Sequence, residues 1–201
     1  KGGEMLWDRC IELGIEARKK LREFGQHYLR TGRGPEEQWF FDPFVPDTVS
    51  IRGSKTIADV TDAAWEDLPT EVLKTEPQCW ALAPDRTWHG YPGYADGYVI
   101  VDPNKLTLIT PGIDRASGRY LEFGVPAIVL ATFLREQRIV AEKCGLNSIL
   151  FLMTPAVGEG KHPVKRIAGK HRGQLLAAAG PQRSAAVQRE RHIAAQLGGQ
   201  R

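Results

Sequence analysis

Very little in this sequence of 201 residues could hold the chain together by covalent or metal bonds. Its three cysteines, Cys10, Cys79 and Cys144, are widely spaced and odd in number, and no Cys-x-x-Cys pair occurs. That favours free, buried thiols in a reducing compartment over a disulfide framework. There is no zinc pattern, no His-Glu-x-x-His, no Gly-rich phosphate loop and no serine nucleophile elbow. No apolar run approaches the roughly 18 residues that a membrane helix needs. The opening "KGGEMLWDRC" lacks an apolar h-region and a cleavage site, so no secretory signal is read there and a cytoplasmic location is expected.

Acids are scarce in one place only. From Lys161 onward, nine Lys/Arg face a single acid, Glu190, a net of +8 that leaves −5 for the residues before it. The body is therefore mildly acidic, with no general attraction for nucleic acid. The tail has no aromatic residue and is rich in Ala, Gly, Gln and Arg. Residues 161–201 are expected to be a weakly ordered basic tail. Arg172, Arg183, Arg189 and Arg191 offer charge for phosphates, but no stacking platform or known motif accompanies them, so a solvated charge run is the favoured reading.

What is present is ordinary globular patterning: 42% hydrophobic and 25% charged residues, enough for a core. Leu6, Cys10, Leu13, Ala17, Leu21 and Phe24 recur at helical spacing and predict a helix with one apolar stripe, stopped by Gly25. Pro43 and Pro46 keep helix out of the next segment, where Val49 and Ile51 alternate as in a strand. "TDAAWEDLPTEVL" reads as a short helix broken near Pro69, capped by Thr61 or Asp62. "GYVIVDPNKLTLITPG" reads as strand, turn at Asp102-Pro103-Asn104 and strand, with Leu106 and Leu108 on one face and Thr107 and Ile109 on the other.

A helix follows in "GVPAIVLATFLREQR", with Pro126 in its first turn and Ile128, Val129, Leu130, Phe133 and Leu134 on a broad buried face. "IVAEKCGLNSILFLMTP" then reads as a buried strand with polar punctuation at Gly145 and Asn147. The order of elements predicts an α/β or α+β layer, with helices on one face of a small sheet.

Two places carry candidate chemistry. The loop "WHGYPGYADGY" is packed by Trp88, Tyr91, Tyr94 and Tyr98, and His89 within it is either catalytic or a structural donor. Glu142 and Lys143, just before the last apolar run, are either a solvated turn or a carboxylate placed to capture a ligand's ammonium group. Patterning does not choose between these.

Six blocks, in order, carry a family resemblance: "GEMLWDRCIELGIEARKKL", "WFFDPFVPD", "AWEDLPTEVL", "CWALAPDRTWHGY", "GYVIVDPNKLTLITPGID" and "FGVPAIVLATFLREQRIVAEKCGLNSILFLMTPA". They resemble the bacterial ornithine decarboxylases, which group with lysine and arginine decarboxylases using pyridoxal 5'-phosphate on an aspartate-aminotransferase-type fold. The resemblance implies that residues 1–45 end a large cofactor domain and that 46–160 form a small C-terminal segment. It implies conversion of ornithine, or a related basic amino acid, to an amine and CO₂, with other decarboxylase subunits as partners in a homo-oligomer.

The cofactor in this family forms a Schiff base with a lysine preceded by histidine, and it carries the hard step. No His-Lys dipeptide occurs here; Lys161-His162 and Lys170-His171 run in the opposite order. The resemblance therefore implies a fragment, inactive alone, and a start within a helix agrees with this. The alternative is a non-catalytic module that docks onto intact decarboxylase subunits. Past about Gly158 the resemblance stops where the charge swings, the pattern expected of a frameshift or rearranged gene end. By motif, the family's substrate-amine glutamate falls on Glu142, which gives that carboxylate a substrate-binding role. No catalytic, cofactor-binding or metal-binding residue is assigned.

Overall fold

The computed structural model of the chain describes residues 2–31, 41–52, 60–83, 86, 88–90, 99–115, 117–121 and 124–155. The expected basic tail, the tyrosines at 91, 94 and 98, and Arg172, Arg183, Arg189 and Arg191 lie outside them.

The first helix, α1, spans Gly2–Thr31. Its predicted stripe is buried only in the middle, at Cys10, Leu13, Ala17 and Leu21, while Leu6 and Phe24 stay exposed. Gly25 does not stop it. A helical glycine costs about 1 kcal/mol relative to alanine, but the turn around it is tied down from outside. Arg22 pairs with Asp42 at 3.2 Å, Asp47 at 3.0 Å and Glu66 at 3.5 Å, and the Gln26 amide donates to Glu66 at 2.7 Å. Tertiary pairing thus carries the helix past its local break.

The principal sheet holds β1 (Asp42–Pro43), β4 (Lys105–Ile109), β6 (Ser148–Leu152) and β5 (Lys143–Cys144) in that spatial order, all antiparallel. The hairpin of β2 (Thr48–Arg52) and β3 (Val60–Ala64) forms a second sheet. In β4, Leu106 and Leu108 are buried while Thr107 and Ile109 take the other face, as the alternation predicts. Helix α3 (Ala127–Glu136) and the middle of α1 pack on Leu106, Leu108, Ile149 and Phe151. Both helices therefore cover one face of the sheet, as the order of elements led us to expect. The opposite face carries no helix among the described residues.

A second cluster gathers Ile15, Val45, Val49, Trp65, Leu73, Cys79 and Trp80. Trp65 and Trp80 meet edge to face at 5.3 Å, and their indole N–H groups donate to the carbonyls of Cys79 (3.0 Å) and Leu73 (2.7 Å). The indoles can be fully buried because both polar ends are satisfied.

Four local expectations are corrected. Residues 61–64 belong to β3, not to a helix, because they pair with β2; only Thr70–Thr75 (α2) is helical, starting after Pro69, with a 3-10 turn over Trp65–Asp67. Val99–Val101 makes no ladder with β4 and bridges instead to Ala81, through Leu82 N–H to Val99 O and Val101 N–H to Trp80 O. On α3 the buried residues are Ala127, Leu130, Ala131 and Leu134, whereas Ile128 is exposed and Phe133 half-buried. Cys10 and Cys79 are buried free thiols as expected, but Cys144 is exposed, since β5 is an edge strand.

The helix α1 is anchored by Arg18, which is fully buried. Its guanidinium donates to the carbonyls of Gly14 (3.0 Å), Pro103 (2.8 Å) and Lys105 (2.7 Å) and lies 5.0 Å from the Trp80 ring. Burial pulls its pKa down to about 9, against an opposing pull from Asp102, so it remains charged near neutral pH. Gly14 makes the approach possible: a Cβ there would stand 2.7 Å from the Pro103 carbonyl.

Two predictions follow from these contacts. Arg18→Met keeps most of the volume but withdraws the donors from two distant carbonyls, and should lower stability by about 2–3 kcal/mol in urea unfolding. The second concerns Lys74 on α2, which pairs with Glu12 of α1 at 3.0 Å. The hydrogen bond to Lys74 lowers the Glu12 pKa below its ordinary 4.5, and the same contact raises that of Lys74. A lowered carboxylate pKa contributes stability that is present above the unfolded value and is lost as pH falls through the folded one. Lys74→Met should therefore cost about 0.5–1 kcal/mol at pH 7, and the difference from the parent should fade in unfolding curves taken progressively below pH 4.5.

Candidate functional site

The stretch from Glu142 to Leu152 is a hairpin, not a single strand. β5 turns through Gly145–Asn147 into β6, closed by Gly145 N–H to Ser148 O at 2.8 Å. The turn is held from two sides: Ala127 N–H at the start of α3 donates to Leu146 O at 3.0 Å, and the Asn147 amide donates to the Tyr120 hydroxyl at 3.0 Å.

Just ahead of β5 the ladder is irregular. Lys143 is the register partner of Leu150, yet Glu142 N–H also donates to Leu150 O at 2.9 Å. Two residues therefore stand opposite one, which is a β-bulge. Upstream, Ile139 and Ala141 pack toward the core. The bulge resets the alternation, so that Glu142 and Lys143 both leave the core side and are exposed at the edge of the open sheet face. Among the described residues the Glu142 carboxylate has no ion-pair or hydrogen-bond partner. Sequence patterning saw a turn here; an inward residue followed by two consecutive charges was the signal available for a bulge.

The other predicted residues lie elsewhere. Trp88 is buried against Phe44, with ring centroids 4.9 Å apart, and His89 meets Trp88 edge to face at 5.3 Å. His89 Nε2 is 2.9 Å from the Ala83 carbonyl. Only 4% of its surface is exposed, and the Ala83 contact ties the imidazole to its own loop. Gly90 then turns with φ of 69°, bringing its Cα so close to the 115 loop that a Cβ would collide with the Arg115 carbonyl.

Trp88 borders a cleft of about 440 Å³, shared with Asp42, Ile109, Thr110, Asp114 and Arg115 among others. Patterning gave no hint of this cleft, because its lining comes from three separated segments. Arg115 closes one side by pairing with Asp42 and Asp47, each at 2.9 Å, and Arg22 of α1 pairs with the same two carboxylates. Burial raises the Asp42 pKa, while Arg22 and Arg115 pull it back down. In the ladder Asp42 is opposite Ile109, and Lys143 lies across β6 from Thr107. Three strand spacings and two residues along the strand separate the bulge from the cleft, a distance on the order of 15 Å. Glu142 and Trp88 thus belong to different places, although Glu142 shares a sheet face with the cleft's Asp42.

The described residues that line the cleft do not fit pyridoxal phosphate. No lysine lines the cleft. Lys19 donates to the Leu68 carbonyl, Lys74 is engaged by Glu12 and Asp8, and Lys105 pairs with Asp102. Three carboxylates and two guanidinium groups line the cleft, a poor balance for a phosphate. Among the described residues no group of His, Cys, Asp and Glu could hold a metal ion, and no helix is long and apolar enough to cross a membrane.

Comparison with known proteins gives a consistent result. Residues 1–161 match the family model described as "Orn/Lys/Arg decarboxylase, major domain". The chain is 42% identical over 161 residues to the constitutive ornithine decarboxylase of Escherichia coli K12, covering 80% of this chain and 19% of that protein. It is 32% identical over 159 residues to the inducible lysine decarboxylase of the same organism, covering 79% of this chain and 18% of that protein. The crystal structure of the Francisella novicida lysine decarboxylase superimposes with a TM-score of 0.56 at 29% identity, covering 82% of this chain and 18% of that one. The chain therefore spans about a fifth of the length of the curated relatives it matches.

Proposed function

The chain belongs to the Orn/Lys/Arg decarboxylase family, and on that premise we propose that it is a portion of an enzyme converting ornithine to putrescine and CO₂ with pyridoxal phosphate. Within that enzyme, residues 1–45 end the large cofactor domain and 46–160 form the C-terminal segment. Glu142 is the substrate-binding residue, its carboxylate holding the ammonium at the far end of the amino acid's side chain. The bulge before β5 is the observation that supports this reading most. It sets an unpaired carboxylate on the exposed edge of a helix-free sheet face, next to a rigid two-residue strand. A side-chain ammonium is charged near neutral pH, and a charge-assisted hydrogen bond to a fixed anion sets the reach from that anion to the reacting carbon. The length of the substrate's side chain is then what the site measures. Higher identity to the ornithine than to the lysine decarboxylases supports ornithine as the substrate.

A second reading draws on the first turns of α1. Met5, Leu6 and Trp7 are each more than half exposed, an unusual concentration of apolar surface. That row suits docking against intact decarboxylase subunits without catalysis by this chain. Co-purification with a full-length decarboxylase that is lost on Leu6→Glu, Trp7→Glu double substitution would favour it over the first reading.

Two experiments test the primary reading. The purified chain with added pyridoxal phosphate and ornithine should release no CO₂, because no His-Lys dipeptide occurs in it; turnover would sink the assignment of inactivity. In a full-length relative, the substitution equivalent to Glu142→Gln should raise KM for ornithine about tenfold or more, the loss of one charge-assisted contact. A near-normal KM would remove Glu142 from the substrate site.

A further inference from the structure

We propose that Tyr120 and Asn147 are positioning residues for Glu142: they latch the turn of its hairpin, and so set the reach of the carboxylate and the preference for side-chain length. The proposal rests on the reading of Glu142 as the residue that takes the substrate's ammonium, and adds to it the part of the fold that keeps that carboxylate in place.

β5 is a slender support for a charge that must stand at a fixed distance. It has two residues and, among the described residues, pairs only with β6. Glu142 lies one residue before it and is attached to β6 through its N–H to Leu150 O. The placement of this short arm therefore also depends on the turn at Gly145–Asn147. Three hydrogen bonds reach that turn from outside the hairpin. Thr110 N–H donates to Asn147 O at 2.9 Å, Ala127 N–H to Leu146 O at 3.0 Å, and the Asn147 side-chain amide to the Tyr120 hydroxyl at 3.0 Å. The first comes from the end of β4, the second from the start of α3, and the third from the loop between them.

That loop is folded so as to return Tyr120 to the turn. Ile113 bridges to Tyr120, Leu121 N–H donates to Gly112 O at 3.0 Å, and Val125 N–H donates to Pro111 O at 2.8 Å. Gly124 permits the close crossing, since a Cβ there would collide with the Gly112 Cα. Tyr120 is 63% exposed, so its ring adds little to the core, and its hydroxyl is engaged by Asn147. Removing that contact leaves the two backbone bonds to the turn, so the hairpin persists with a looser arm. Ornithine and lysine differ by one methylene, and discrimination at that scale needs a carboxylate that does not drift.

The test has two arms. In the full chain, Tyr120→Phe and Asn147→Ala should each speed amide hydrogen exchange at Ala127 and Gly145 about threefold or more. Asn147→Asp should restore the parent rates, because the Tyr120 hydroxyl then donates to the new carboxylate. Unchanged exchange in both of the first two variants overturns the proposal. The second arm uses a full-length ornithine decarboxylase that carries the Tyr–Asn pair. There the equivalent of Tyr120→Phe should raise KM for ornithine about threefold, leave kcat nearly unchanged and narrow the preference for ornithine over lysine. Added to Glu142→Gln, it should raise KM no further. An unchanged KM in Tyr120→Phe, where Glu142→Gln raises it, overturns the proposal and leaves the role of Glu142 standing. An equal rise on both backgrounds shows a general structural role and also overturns it. An unchanged KM in Glu142→Gln alone removes Glu142 from the substrate site, and the latch with it.

Discussion

A guanidinium without water is an exacting tenant of a protein interior, and Arg18 is placed where two hydrophobic clusters and a turn come together. Ile15, one turn before it on α1, belongs to the tryptophan cluster; Ala17 and Leu21 belong to the sheet cluster. Arg18 reaches from the same helix to the Pro103 and Lys105 carbonyls, just where β4 begins. A buried guanidinium whose two terminal nitrogens donate to backbone carbonyls needs those carbonyls at fixed positions. The register of α1 against β4 is therefore set by hydrogen bonds as well as by packing, and Gly14 is the residue that lets the two backbones come close enough. Everything on β4, including the residues that floor the cleft, inherits its position from this contact.

The second charged assembly works at the other end of the same helix. Arg22 and Arg115 share Asp42 and Asp47, which ties α1, the β1 edge and the loop after β4 into one network. These groups are partly exposed, so each pair alone contributes little. Their shared effect is geometric: three segments distant in sequence are held around one opening. The same network explains how a helix continues through Gly25.

Where the sequence could be read by periodicity, the structure agrees. Leu106 and Leu108 alternate correctly, the centre of the α1 stripe is buried, and both helices cover one sheet face. The failures share a cause, since each depends on a partner far along the chain. Residues 61–64 look helical until β2 is known to pair with them; Val99–Val101 looks like half a hairpin until Ala81 takes its place. Ile128 is as apolar as Leu130, and only the location of the sheet exposes the first and buries the second. Glu142 was legible as a charge beside a buried run, and the family motif marked its position. Its orientation was not legible, because it rests on one extra hydrogen bond to Leu150 O.

That extra hydrogen bond has a consequence for how the chain behaves among its own copies. Among the described residues β5 is the free edge of its sheet, only two residues long, followed by an exposed Leu146 and flanked by an exposed Val140. An exposed edge strand is a template for adding strands from other molecules. The bulge twists the edge and presents Glu142 and Lys143 along it, so an incoming strand meets a broken ladder and two charges it must desolvate. The irregularity that turns a carboxylate outward also keeps the sheet from growing.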